Sequence, residues 1–151
     1  MIKNIFDLSV VNEIIDRTNR LTTDTKPLWG KMSVSQMLAH CNVTYEMVYD
    51  NNHPKPNAFM KFILKLLVKN KVVGEKPYGH NLRTAPSFLI KDEKEFEKEK
   101  STLIAYIRKT QQLGAAHFNG KESYSFGKLA QQEWTNMFYK HLDHHLNQFG
   151  V

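Results

Sequence analysis

Apolar residues recur at helical spacing through most of this 151-residue chain, and this periodicity limits its fold more than any other feature. Sustained alternation of apolar and polar residues, which marks half-buried strands, is missing from the sequence, and no Asn-Gly pair indicates a hairpin. Hydrophobic residues make up 41% of the chain, which is ordinary for a globular protein and argues against disorder. The sequence therefore predicts an all-α fold, and its length favours a single domain spanning residues 1–151.

The apolar pattern predicts helices over residues 8–21, 33–50, 58–71, 92–113 and 129–148. Ser33 and Gln36 form a capping-box pattern at the start of the second helix, and Gly114 is expected to end the fourth. Residues 72–90 are rich in glycine and proline and predict a long loop, and loops of this length often line a site. Four long helices and a shorter fifth suit an antiparallel bundle, whose core can hold a metal site.

The segment 58–71 is amphipathic and basic. Its apolar residues are Phe59, Phe62, Ile63, Leu66 and Leu67, and its lysines are Lys61, Lys65 and Lys69. A helix of this kind can lie on a membrane surface. A core helix with a solvated lysine face is the commoner case, and it is the one predicted here.

Charge and cysteine content limit the classes of partner and the cellular compartment. The formal charge is +6, but no arginine-rich or lysine/aromatic segment appears, so we expect neither a nucleic-acid nor a membrane partner. The first residues do not resemble a signal peptide, and no apolar run reaches the roughly 18 residues of a membrane span. Cys41 is the single cysteine, which favours a reducing, cytoplasmic location.

Two histidines near the C-terminus lie one helical turn apart. At about 100° per residue, His141 and His145 fall within the apolar arc that Trp134, Phe138 and Leu142 define. His144 falls about 110° from the centre of this arc and is expected at its boundary or facing outward. Asp143 is predicted to point nearly opposite to the arc.

Imidazoles on an apolar helix face are costly to bury unless they find partners. A divalent metal ion would provide one, and His40 lies at the edge of the apolar arc of the second helix. Three protein ligands would leave coordination positions open, which is typical of catalytic zinc sites. The alternative from the residues alone is that these are hydrogen-bonded core histidines.

Two segments carry a resemblance to a known family. The run Gln36-Met37-Leu38-Ala39-His40-Cys41 and the C-terminal stretch from Glu133-Trp134 through Tyr139-Lys140-His141-Leu142-Asp143-His144-His145 to Gly150 resemble the DinB-like superfamily, and within it a bacterial family of unknown function.

The resemblance implies an up-down-down-up four-helix bundle that holds zinc or nickel through His40, His141 and His145. Some members of the superfamily transfer low-molecular-weight thiols, such as bacillithiol or mycothiol, onto electrophiles, and others are isomerases or hydrolases. The fold it implies is not a DNA-binding one.

We therefore expect a cytoplasmic metalloenzyme with a small-molecule substrate. Thiol transfer is the first choice and hydrolysis the second, because a bound metal activates a thiol or water as nucleophile. A non-catalytic metal-binding protein is the alternative, and a homodimer is among the oligomeric states left open.

Other residues are weaker candidates. Cys41 is expected to be a small core residue. The loop histidines His53, His80 and His117 are expected at the surface, although His80 or His117 could approach the site from the long loops. The sequence identifies no catalytic residue or general base, and its available carboxylates include Glu46 and Glu133.

Overall fold

The computed structural model describes residues 2–50, 52–82 and 84–151. Its elements are α1 (Leu8–Asn19), α2 (Val34–Tyr49), α3 (Ala58–Leu67), α4 (Lys69–Val73), a 3-10 turn (Pro86–Phe88), α5 (Phe96–Phe118), β1 (Glu122–Ser123), β2 (Gly127–Lys128) and α6 (Gln131–Gln148). Helices account for 59% of the described residues and strands for 3%, which confirms the prediction of an all-α fold. Within the described ranges, no helix combines the length and apolarity that crossing a bilayer requires.

Four helices share the hydrophobic core. Both α5 and α6 pack against α1 and α2. Ile14, Leu38, Ile107 and Phe138, one from each of these helices, are at most 1% exposed and belong to one cluster of buried residues. Burying a side chain of this size contributes about 1.5–3 kcal/mol, so the shared core fixes how α2 and α6 lie relative to each other.

The two helices that carry the candidate histidines are fixed at their ends. The backbone N–H of Gln36 donates to Ser33 Oγ at 3.2 Å, and Ser33 N–H donates to Gln36 Oε1 at 3.0 Å, which confirms the predicted capping box. Near the C-terminal end of α6, Arg17 of α1 binds Asp143 at 2.7 Å and the carbonyl of Val151 at 2.9 Å. Because this pair holds Asp143 toward α1, the histidine face of α6 turns away from α1.

Buried polar side chains of α6 hold α4. The Nζ of Lys140 donates to the carbonyls of Lys71 and Gly74 at 2.9 and 2.6 Å, and Asn136 Nδ2 donates to the carbonyl of Val73 at 2.8 Å. Carbonyls at a helix C-terminus have no partner within the helix, so these bonds satisfy groups that would otherwise be costly to bury.

The third predicted helix differs from its expectation in length and in burial. The helix predicted over 58–71 is divided at Val68 into α3 and α4. No residue of α3 is buried, and Phe59, Phe62 and Leu66 are 72%, 64% and 70% exposed. The prediction of a core helix is therefore wrong. Amphipathic spacing identifies an apolar face, but it does not say whether another element covers that face.

The region after residue 91 also differs from the prediction. The fourth predicted helix begins at Phe96 instead of residue 92. Gly114 has a φ of 73°, in the left-handed region, yet helical structure resumes after it and reaches Phe118. Phe118 is fully buried, and its ring lies 5.6 Å from that of Phe138, so core packing favours this continuation.

Residues 115–127, which lie between the fourth and fifth predicted helices, therefore contain the end of α5 and most of a small hairpin. β1 and β2 pair antiparallel, with Ser123 opposite Gly127. Two-residue strands are too short to produce a detectable alternation in the sequence. At the other boundaries, α1 ends at Asn19 instead of residue 21, and α6 starts at Gln131 instead of residue 129.

Candidate metal centre

Three imidazole rings converge between α2 and α6. A ring nitrogen from each of His40, His141 and His145 lies within 4.8 Å of one from each of the others, and His40 Nε2 is 2.9 Å from His141 Nε2. A tetrahedral ion with bonds of about 2.0–2.1 Å places its ligand nitrogens about 3.3 Å apart. The structure thus brings together the three histidines that the sequence singled out, at a spacing suited to one ion. We call this group the histidine trio.

Each ring of the histidine trio has a hydrogen-bond partner at Nδ1. His40 Nδ1 lies 2.9 Å from the Phe88 carbonyl, and His141 Nδ1 lies 3.0 Å from Thr44 Oγ1. His145 Nδ1 lies 2.8 Å from Gln148 Oε1. Histidines that bind metals nearly always use their other nitrogen in this way, because the second bond fixes the ring's orientation.

The acceptors at His40 and His145 also determine the tautomer. A carbonyl only accepts, so the Nδ1 of His40 carries the proton that it donates to Phe88. The Nε2 of Gln148 donates to the Trp29 carbonyl at 2.7 Å, which turns its Oε1 toward His145 as an acceptor. The neutral rings of His40 and His145 therefore keep a lone pair on Nε2, the nitrogen that a cation would bind.

Burial keeps the histidine trio uncharged. Burial lowers the pKa of His40 and lowers that of His145 to about 3, with the His40 ring adding to the second shift. Burial, followed by the neighbouring His145 and His40 rings, holds the pKa of His141 well below its usual range. At neutral pH all three imidazoles are neutral, and this is the form that binds a metal ion.

The donor set fits some ions better than others. Three neutral imidazoles suit zinc, nickel, copper and iron, whereas calcium and magnesium prefer oxygen ligands. The histidine trio also lines a chamber of about 780 Å³, which would give a small molecule access to the site. No carboxylate lines this chamber among the residues that the structure describes.

The neighbouring histidine takes a different position. His144 is half-buried, and its ring meets Trp29 and Tyr78 edge-on at 5.9 and 5.6 Å. It lies at the boundary of the apolar arc, as expected, and is not a member of the histidine trio. His80 stacks on Trp29 with ring centroids 3.9 Å apart and is also not part of the trio.

Two further loop candidates lie away from the histidine trio. His53 pairs with Glu46 at 2.7 Å, and His117 lies in α5 with its Nε2 2.9 Å from Lys121 Nζ. Glu46 is therefore engaged by His53 and does not line the chamber.

Cys41 and Glu133 are accounted for by structural contacts. Cys41 is 1% exposed, its Sγ lies 3.8 Å from Met37 Sδ, and burial raises its thiol pKa well above the usual range. It is a core residue, as predicted. Glu133 pairs with Lys69 at 2.7 Å and accepts from the backbone N–H of Ala130, so it serves the start of α6.

Three groups around the histidine trio were not predicted. Gln148 follows His145 by three residues and Thr44 follows His40 by four, so helical spacing contains a signal for both. The Phe88 carbonyl belongs to the long loop, and no side-chain pattern could have identified a backbone oxygen.

Fold and site together define an all-α protein with a buried cluster of three neutral histidines. Residues 3–150 match the family described as Protein of unknown function (DUF1569), and the chain belongs to that family. No curated protein matches the chain. No solved structure matches it either. The family description names no activity and no superfamily.

Proposed function

We propose that this protein is a metal-dependent enzyme of the DinB-like type, which uses a low-molecular-weight thiol or water as nucleophile. The observation that carries the proposal is the histidine trio itself. Three neutral imidazoles have their Nδ1 atoms engaged and line a chamber large enough for a substrate.

His40, His141 and His145 would hold zinc or nickel. Such an ion would lower the pKa of a thiol or water toward neutrality and so supply a nucleophile at physiological pH. The chain's own contribution is orientation, because the Phe88 carbonyl and Gln148 aim the rings of His40 and His145.

The shared core of α1, α2, α5 and α6 supports the finer proposal of an up-down-down-up four-helix bundle. A cytoplasmic location, with a small-molecule substrate and no nucleic-acid or membrane partner, completes the proposal. The charge pattern supports it, since lysines are spread along the chain without an arginine-rich segment.

Thiol transfer to a small electrophile is the first choice of reaction, and hydrolysis is the second. The alternative is a non-catalytic protein whose metal only stabilises the helices. The chamber favours an enzyme, because a purely structural metal site is normally closed by four protein ligands.

The metal site is tested by metal analysis of protein purified without a chelator or a nickel column. We expect about one divalent ion per chain, and at least a tenfold weaker affinity after His40→Ala, His141→Ala or His145→Ala, because each removes one ligand. His144→Ala is the matched control and should bind nearly as tightly as wild type. Equal losses in His144→Ala and His145→Ala would contradict the assignment of ligands.

The reaction is tested by incubating metal-loaded protein with monochlorobimane and a panel of thiols: bacillithiol, cysteine, coenzyme A and glutathione. Acceleration that depends on the metal and disappears in His141→Ala supports thiol transfer. Activity that survives removal of the metal contradicts the mechanism. Turnover of esters or amides alone supports hydrolysis, and inactivity in both assays of a metal-loaded protein supports the non-catalytic alternative.

A further inference from the structure

The chamber beside the histidine trio has a mostly apolar lining. Its volume of about 780 Å³ falls within the range of pockets that enclose drug-sized ligands. Among the described residues, its only lysines or arginines are Lys31 and Lys71, both at the exposed surface, and no aspartate or glutamate lines it. In the metal-free chamber, a charged ligand deep among the described residues would lose its hydration without gaining one of these side chains as a partner of opposite charge.

One wall of the chamber comes from α3, whose two sides have different surroundings. Met60 and Leu64 line the chamber, whereas Phe59, Phe62 and Leu66 do not. These two groups lie on different arcs of the helix, as expected from about 100° per residue. The chamber-facing side of α3 can therefore be altered separately from its exposed side.

The lining adapts easily in shape. Four methionines contribute to it, namely Met32, Met47, Met60 and Met137. Methionine side chains are unbranched and polarizable, and they accommodate varied apolar surfaces with little strain.

The apolar wall reaches the histidine trio directly. The Phe88 ring stands edge-on to His40 and His141, with centroids 5.4 and 6.0 Å apart. Phe88 also lines the chamber, and its carbonyl is the acceptor for His40 Nδ1. A molecule packed against Phe88 would thus lie beside the Nε2 atoms of the trio.

We propose that the chamber binds a neutral apolar small molecule, with its alkyl or aromatic body against α3 and Phe88 and one end at the histidine trio. This names the substrate class of the proposed enzyme. It rests on the proposed function only in treating the bound molecule as a substrate.

The test is a fluorescence titration with N-phenyl-1-naphthylamine, a neutral apolar probe whose emission rises on transfer from water. Metal-free and metal-loaded wild type should both bind it at one site per chain. Leu64→Glu should weaken binding at least tenfold, because it puts a carboxylate into the apolar wall. Leu64 is half-buried against the hydrophobic core, so helix content and the thermal midpoint are measured to establish that this variant is folded. Met60→Glu, at a 46% exposed position on the same wall, should weaken binding in the same way and tests the proposal if Leu64→Glu does not fold.

Leu66→Glu is the matched control, two residues along the same helix but 70% exposed and outside the chamber. It should bind the probe within about twofold of wild type, since its carboxylate stays in water. Equal losses in the two variants would contradict the proposal by assigning the probe to the exposed face of α3. No saturable binding to folded wild type would also overturn it.

Two further measurements test the charge preference and the location. The neutral alcohol 1-decanol should displace the probe at least ten times more effectively than decylammonium, and equal displacement would contradict the chemical class. Loading the protein with Co²⁺ should quench the fluorescence of the bound probe in wild type but not in His141→Ala. If the probe keeps its fluorescence in wild type that has bound Co²⁺, the proposed position beside the histidine trio is contradicted.

The proposed function and the chamber can fail separately. If the protein binds no metal and has no activity but binds the probe in a way that depends on Leu64, the apolar site is supported and the proposed enzyme is contradicted. If the protein binds metal and turns over a substrate but does not bind the probe, the proposed enzyme is supported and the apolar substrate class is contradicted.

Discussion

Gln148 shows how one side chain can define a candidate ligand. Its amide nitrogen is engaged by the Trp29 carbonyl, so its oxygen faces His145 and fixes the proton on Nδ1. The sequence predicted His145 from spacing and from its place in the apolar arc. It could not predict this tautomer, because the Trp29 carbonyl lies 119 residues away along the chain.

We predict that Gln148→Leu lowers zinc affinity about 10–100-fold, because the ring of His145 loses the acceptor that orients it. Gln148→Glu keeps an acceptor for His145 but loses the donor to the Trp29 carbonyl, so it should lose less affinity than Gln148→Leu. Competition against a chromophoric zinc chelator measures both, with the exposed Gln112→Leu on α5 as control. Equal losses in the leucine and glutamate variants would show that the acceptor atom does not matter.

At the scale of elements, periodicity located the helices better than it located their surroundings. The arc of α6 was predicted correctly because its apolar residues and its burial coincide, with Trp134, Phe138 and Leu142 each 1% exposed. The pattern of α3 is equally apolar, yet its burial depends on whether a neighbouring element lies over it. The local sequence of α3 does not indicate whether a neighbouring element covers the helix, so the prediction of a core helix was wrong for α3.

Two leucine-to-alanine variants compare these environments directly. Leu66→Ala in α3 should change the free energy of unfolding by no more than about 0.5 kcal/mol, because the side chain is 70% exposed. Leu103→Ala in α5 should cost about 2–5 kcal/mol, because that side chain is 1% exposed and its loss leaves a cavity. Urea unfolding of the metal-free variants gives both values. A large loss in Leu66→Ala would mean that another surface covers α3 in solution.

For the whole molecule, the all-α class and the convergence of α2 with α6 could be anticipated from the sequence. Histidines about a hundred residues apart were expected together because each lies on or beside an apolar arc. The chamber could not be anticipated in the same way. Its walls come from α2, α3, the 72–90 segment, the β1–β2 hairpin and α6, and no local pattern encodes how such distant segments enclose a space.

The histidine trio should make the stability of the whole protein depend on pH. In the metal-free folded state its pKa values lie below about 6.5, the value expected in the unfolded chain. Below pH about 6.5 the unfolded chain therefore binds more protons, and the free energy of unfolding falls as pH decreases. Each histidine, taken alone, contributes a slope of about 1.4 kcal/mol per pH unit until its folded pKa is reached.

Metal binding should add to this dependence. An ion held only by the folded state raises the free energy of unfolding, and protons displace it as the imidazoles titrate. Urea unfolding at about pH 7.5, 6.5 and 5.5 should show metal-loaded and chelator-treated protein differing at the highest pH and converging at the lowest. The triple variant His40→Gln/His141→Gln/His145→Gln should show a flatter pH dependence and no response to metal. If metal-loaded and chelator-treated wild type unfold at the same urea concentration near pH 7.5, the histidine trio does not bind the ion.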